Sequence, residues 1–125
     1  MFEVGVVAHF EAAHRLRGAF GPATRLHGHT YRVEVRVAGE ALQPDGTLCD
    51  LGALRQVVEE VVGTLRYRDL DEVELFAGQN TTAEVVARAI FEAVAMRLGG
   101  RGLSSARVQV WESPTAYAAY QGALA

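Results

Sequence analysis

Apolar residues recur at every second position over Phe2, Val4, Val6, Ala8, Phe10 and Ala12, a period that predicts a strand with one apolar face. His14 continues the same parity. After the loop "RGAFGPAT", Tyr31, Val33, Val35 and Val37 alternate with Arg32, Glu34 and Arg36 as a second strand, and His27 and His29 fall on its valine side. "QPDG" reads as a turn and "TLCD" as a short strand leading into Asp50, an expected helix N-cap. The period then changes. Leu51, Leu54, Val57, Val58, Val61, Val62 and Leu65 recur at helical spacing. A second helix is expected to open at "TTAE", with Thr81 as N-cap and Glu84 three positions on, to bury Val86, Ala87, Ile90, Phe91, Val94 and Leu98, and to stop at "GGRG". Ala106, Val108 and Val110 alternate with Arg107, Gln109 and Trp111 in a third long strand, and Tyr117 to Leu124 reads as a last one. Strands and helices are grouped and no linker divides them. The expectation is a single α+β domain over 1–125, a four-stranded antiparallel sheet with two helices on one face.

Composition narrows the function classes. The 125 residues are half hydrophobic and carry a net charge of −3, which argues against nucleic acid or an anionic membrane as the main partner. All twelve cationic residues are arginine, so lysine Schiff-base chemistry is excluded. Cys49 is the one cysteine, too few for an internal disulfide or a thiolate-rich zinc knuckle. Glu3 and two early histidines stand where a secretory leader needs a basic start and an unbroken apolar run, and no segment has the length of a membrane span. A cytoplasmic protein is expected.

The chemistry centres on "TRLHGHTYRVEV". Residues two apart on a strand point to one side, so His27 and His29 can present both imidazoles to one ion, and His14 supplies a third from the neighbouring strand. Three histidines with a vacant fourth position are the donor set of catalytic zinc. The same residues also fit ordinary half-buried histidines at a strand edge. His9 has the opposite parity and reads as a surface residue. Glu112 shares the parity of Val108 and Val110, so it either ends a core-facing row, where a carboxylate needs N–H partners, or lies in solvent beyond the strand.

"FEAAHRL", "RLHGHTYRVEV", "CDLGALR", "YRDLDE", "TTAEVVA" and "WESPTAYAAY" resemble, in this order, the successive motifs of the 6-pyruvoyltetrahydropterin and 6-carboxytetrahydropterin synthase family. The resemblance spans nearly the whole chain. It implies the tunnelling fold, in which three four-stranded sheets close into a barrel and two barrels stack into a hexamer. It implies zinc on His14, His27 and His29, held against the side-chain hydroxyls of a reduced pterin so that the adjacent C–H becomes more acidic. Glu112 matches the glutamate that holds the pterin's guanidine-like edge. Arg15, Arg17 and Arg25 are placed to meet the triphosphate of the family substrate, or are simply solvated loop arginines. The expected pathway is of the queuosine or tetrahydrobiopterin type.

Two departures from the family pattern bear on catalysis. The family's base is a cysteine shortly before "HGH", and here Ala23 stands at that position in "GAFGPATRL". The family's aspartate and histidine relay, in a segment resembling "LDHRDLN", is replaced by Arg66 and Tyr67 in "LRYRDLD". Tyr67 is a candidate proton donor, although a phenol with reference pKa near ~10 suits a neutral-pH base poorly. Asp69 and Asp71 are candidate relay acids or members of a charged loop. Cys49 is expected to behave as a small buried hydrophobe. The function so implied is a zinc-dependent lyase acting on dihydroneopterin triphosphate or a related dihydropterin; the alternative is a non-catalytic metal- and pterin-binding protein.

Overall fold

A computed structural model of the chain describes residues 1–99 and 101–124. Strand β1 (Phe2–His14) and strand β2 (His27–Gly39) pair antiparallel along their whole length. Helix α1 (Leu51–Gly63), a two-residue strand β3 (Arg68–Asp69), helix α2 (Ala83–Leu98), strand β4 (Ser105–Ser113) and strand β5 (Ala116–Ala123) follow. The sheet order is β3-β1-β2-β4-β5. The four long strands pair antiparallel, but β3 joins β1 in parallel through Ala12 and Ala13. The sheet is therefore five-stranded and mixed rather than four-stranded and antiparallel, because two residues are too short to show any period in the sequence.

Alternation places Val6, Ala8, Phe10 and Ala12 of β1, Tyr31, Val33, Val35 and Val37 of β2, and Ala106, Val108 and Val110 of β4 in one buried layer. Helix α1 packs on β1, and α2 on β4 and β5. Each fully buried branched side chain in this layer contributes about 1.5–3 kcal/mol. β5 comes close to α2 because Gly122 has no side chain: a Cβ there would lie 2.7 Å from Phe91 Cζ.

The helix starts differ in how well they match expectation. Asp50 caps α1 as expected, its carboxylate accepting from the N–H groups of Gly52 and Ala53. At α2 the cap is Thr82, whose hydroxyl oxygen accepts from Val85 N–H at 3.2 Å, so the assignment to Thr81 is corrected by one residue. The shift leaves Glu84 one place short of a capping box. α2 ends at Gly99, whose φ of 62° suits glycine; Gly100, part of the expected "GGRG" stop, lies outside the described residues. "TLCD" is not a strand. Leu48 is buried by docking against Gly39 instead of by ladder pairing, which is why its apolarity misleads.

Candidate metal centre

The β1–β2 register sets His14 directly opposite His27, with His29 two residues along the same face. One ring nitrogen from each of the three lies within 4.8 Å of the others. His14 is fully buried, and Tyr31, fully buried and stacked on Phe10 at 4.7 Å, forms the next layer below the cluster.

Backbone carbonyls fix two of the rings. His14 Nδ1–H donates to the Thr81 carbonyl at 2.7 Å, and His27 Nδ1–H donates to the Arg25 carbonyl at 2.7 Å. A proton held on Nδ1 leaves the Nε2 lone pair free for a ligand. The Nε2 atoms of His14 and His29 are buried and have no hydrogen-bond partner. Burial pushes His29 below the ordinary imidazole range; the Glu112 carboxylate opposes this, and His14 and His27 reinforce it. Burial drives the Tyr31 phenol well above its ordinary range, and the charges of Glu112 and Asp71 add to the effect, so it stays protonated.

Glu112 sits at a break in the sheet. Trp111 pairs with Tyr117 and Ser113 with Ala116, leaving Glu112 as the extra residue of a bulge. Bulges re-aim side chains, and Glu112 lines two cavities. One, of about 600 Å³, is shared with His29, Thr30, Arg32, Trp111 and Pro114. The other, of about 530 Å³, is shared with Glu84 and Tyr117. Glu84 reads in the sequence as a capping-box residue, and nothing there marks it as a cavity-lining acid.

Tyr67 and Asp69 line a third cavity with Glu11, Gly28, His29 and Thr30. Tyr67 is 80% exposed, and its φ of 58° is left-handed. The Asp69 carboxylate accepts from Asp71 N–H and so caps a 3-10 turn. Arg66 is turned to structural work: it donates to the His9 carbonyl and pairs with Glu59 at 2.8 Å. Arg15, Arg17 and Arg25 are all exposed. Their loop is held by Arg17 N–H donating to Asn80 Oδ1 at 2.9 Å and by Leu16 N–H donating to the Ala23 carbonyl at 2.9 Å. Cys49 is half-buried against the core and its thiol is pushed up by burial, in keeping with a packing role. His9 is exposed.

The 6-pyruvoyl tetrahydropterin synthase family profile matches residues 3–123. The chain is 34% identical over 127 residues to the 6-carboxy-5,6,7,8-tetrahydropterin synthase of Bacillus subtilis, covering 96% of this chain and 85% of the relative. It is also 34% identical over 105 residues to the dihydroneopterin monophosphate aldolase of Pyrococcus furiosus, covering 84% of each. Its fold superposes on the Caenorhabditis elegans 6-pyruvoyl tetrahydropterin synthase with a TM-score of 0.86 at 30% identity, over 97% of this chain and 95% of that one.

Proposed function

Because the chain belongs to the 6-pyruvoyl tetrahydropterin synthase family, we propose that it is a zinc-dependent lyase acting on a dihydropterin, such as dihydroneopterin triphosphate or monophosphate. The observation that carries this reading is the pair of buried, unpartnered Nε2 atoms on His14 and His29, set within one ion's reach of His27. Three neutral imidazoles fit zinc with an open fourth position. A bound ion would act as a Lewis acid toward the hydroxylated side chain of the pterin and acidify the adjacent C–H.

The chain's own residues supply binding and orientation. Glu112 and Glu84 face one cavity, and their carboxylates accept the N–H groups along the guanidine-like edge of the pterin. Arg25 and its neighbours Arg15 and Arg17 meet the phosphate end. With Ala23 in place of a thiol, proton transfer falls to weaker groups, Tyr67 or Asp69, and loss of a positioned base costs ~10² to 10⁴ in rate. The protein acts as a cytoplasmic homo-oligomer, a hexamer of two trimers, whose barrels close over the sheet face opposite the helices. That face carries the Trp111–Tyr117 pair, with rings 4.8 Å apart, and exposed Val7.

Zinc content and turnover test this together. Purified protein is expected to hold about one zinc per chain, to lose it in His27→Ala, and to convert dihydroneopterin triphosphate or monophosphate slowly, faster once Ala23→Cys and Tyr67→His are introduced. Tight pterin binding without turnover in either background would instead favour a binding protein. A folded wild type that takes up no zinc refutes the metal assignment.

A further inference from the structure

Thr81 is fully buried, yet its hydroxyl is not used to start α2, because Thr82 caps that helix. Instead Thr81 stands between His14 and an acid. Its carbonyl accepts from His14 Nδ1–H at 2.7 Å, its Oγ lies 3.3 Å from the same nitrogen, and its hydroxyl donates to Asp71 Oδ1 at 2.9 Å. The other carboxylate oxygen, Asp71 Oδ2, accepts from Arg15 N–H at 2.9 Å, on the residue next to His14. Asp71 thus grips both sides of one imidazole, the backbone just after it and the residue that receives its proton.

We propose that Asp71, acting through Thr81, is the positioning residue of the His14 imidazole, and that it sets the metal affinity of the three-histidine site. The inference rests on the metal reading above. An imidazole whose Nδ1–H is held by an anchored acceptor keeps one tautomer and one orientation, with Nε2 aimed at the cluster. Without the carboxylate, Thr81 loses its anchor and Arg15 N–H its acceptor, so the ring must be ordered anew each time an ion binds. Outer-shell partners of this kind are worth ~10- to 100-fold in metal affinity. Among the described residues, no other side chain is hydrogen-bonded to Thr81 besides His14 and Asp71.

The test is zinc affinity by competition with a chromophoric chelator on the full chain, with cobalt absorption spectra as a second readout and circular dichroism as a check of fold. Asp71→Ala and Thr81→Val are expected to raise the zinc Kd ~10- to 100-fold and to shift the cobalt bands. Thr81→Ser, which keeps the hydroxyl, is expected to stay near wild type. Asn80→Ala is the control for general loosening of the loop, since Asn80 ties the Arg17 backbone and makes no bond to the imidazole; it is expected to leave affinity nearly unchanged. Wild-type affinity in Asp71→Ala, or an equal loss in Asn80→Ala, overturns the positioning role while the metal site stands. A wild type with no zinc affinity overturns the metal reading and this inference with it. If Asp71→Ala does not fold, Thr81→Val against Thr81→Ser decides alone.

Discussion

His14 and His27 are cross-strand partners whose rings meet edge to face, centroids 4.6 Å apart, with His29 a further 5.1 Å from His14. Burial holds His29 below its ordinary range, and the neighbouring His14 and His27 imidazoles add to the effect. The unfolded chain therefore binds protons that the folded chain refuses, and stability rises with pH across that window. Metal-free protein is expected to be most stable above about pH 6.5, the unperturbed histidine value, and to lose stability as pH falls below it. Melting temperatures of chelator-treated protein from pH 8 to 5 check this. His29→Gln should flatten the profile, and an unchanged slope in that variant would assign the effect elsewhere.

Glu112 raises the affinity of His29 for a proton, against the effect of burial. Glu112→Gln is expected to lower the His29 pKa further, measurable by NMR titration of metal-free protein. Glu112→Ala is expected to weaken dihydropterin binding by ~10- to 100-fold, the worth of a hydrogen-bonded charge, with zinc content unchanged. Calorimetry with zinc-loaded protein separates the two roles, and unaltered pterin affinity would remove Glu112 from the anchor.

Tyr67 holds a left-handed backbone conformation that side chains with a Cβ resist, while its own side chain is mostly exposed. Relief of strain competes with the extra freedom glycine has in the unfolded chain. Tyr67→Gly is expected to be stabilising by less than about 1 kcal/mol, whereas Tyr67→Ala keeps the strain and gains nothing. Urea denaturation of the pair distinguishes them; equal midpoints would mean that the strain is no larger than the unfolded-chain freedom glycine adds.

Gly122→Ala would press a methyl group into the Phe91 ring, which packs at 4.9 Å against Tyr120. Overpacking at a buried contact costs about 1–3 kcal/mol, so the unfolding free energy from urea denaturation should fall by that amount, with a lower midpoint. Adding Phe91→Leu should recover part of the loss, since the obstructing ring is gone. A neutral Gly122→Ala would show that β5 is free to move away from α2.

Much of this architecture is legible in the sequence, because a half-buried sheet writes its register as a two-residue period: Val33, Val35 and Val37 predict both their strand and their face. The same period brings His14, His27 and His29 to one side. Features that break periodicity are hidden. Nothing in "VWESPT" marks Glu112 as a bulge, and "TTAE" offers two adjacent threonines between which only tertiary contacts choose. Thr81 is drawn off by His14 and Asp71, and that choice moves the cap to Thr82. Asp71 reads as one acid among several until the fold sets it beside Arg15 and Thr81, 10 residues further along the chain.

The pairing of His14 with His27 also makes the imidazole cluster a reporter of folding fidelity. A slip of one residue between β1 and β2 would send His27 and His29 to the opposite face from His14, so a misregistered molecule would keep its strands and yet lose the cluster. Retention on a chelated-metal resin would then sort correctly zipped chains from slipped ones within a single refolding mixture, a separation that circular dichroism, blind to which face a side chain occupies, has no means to make.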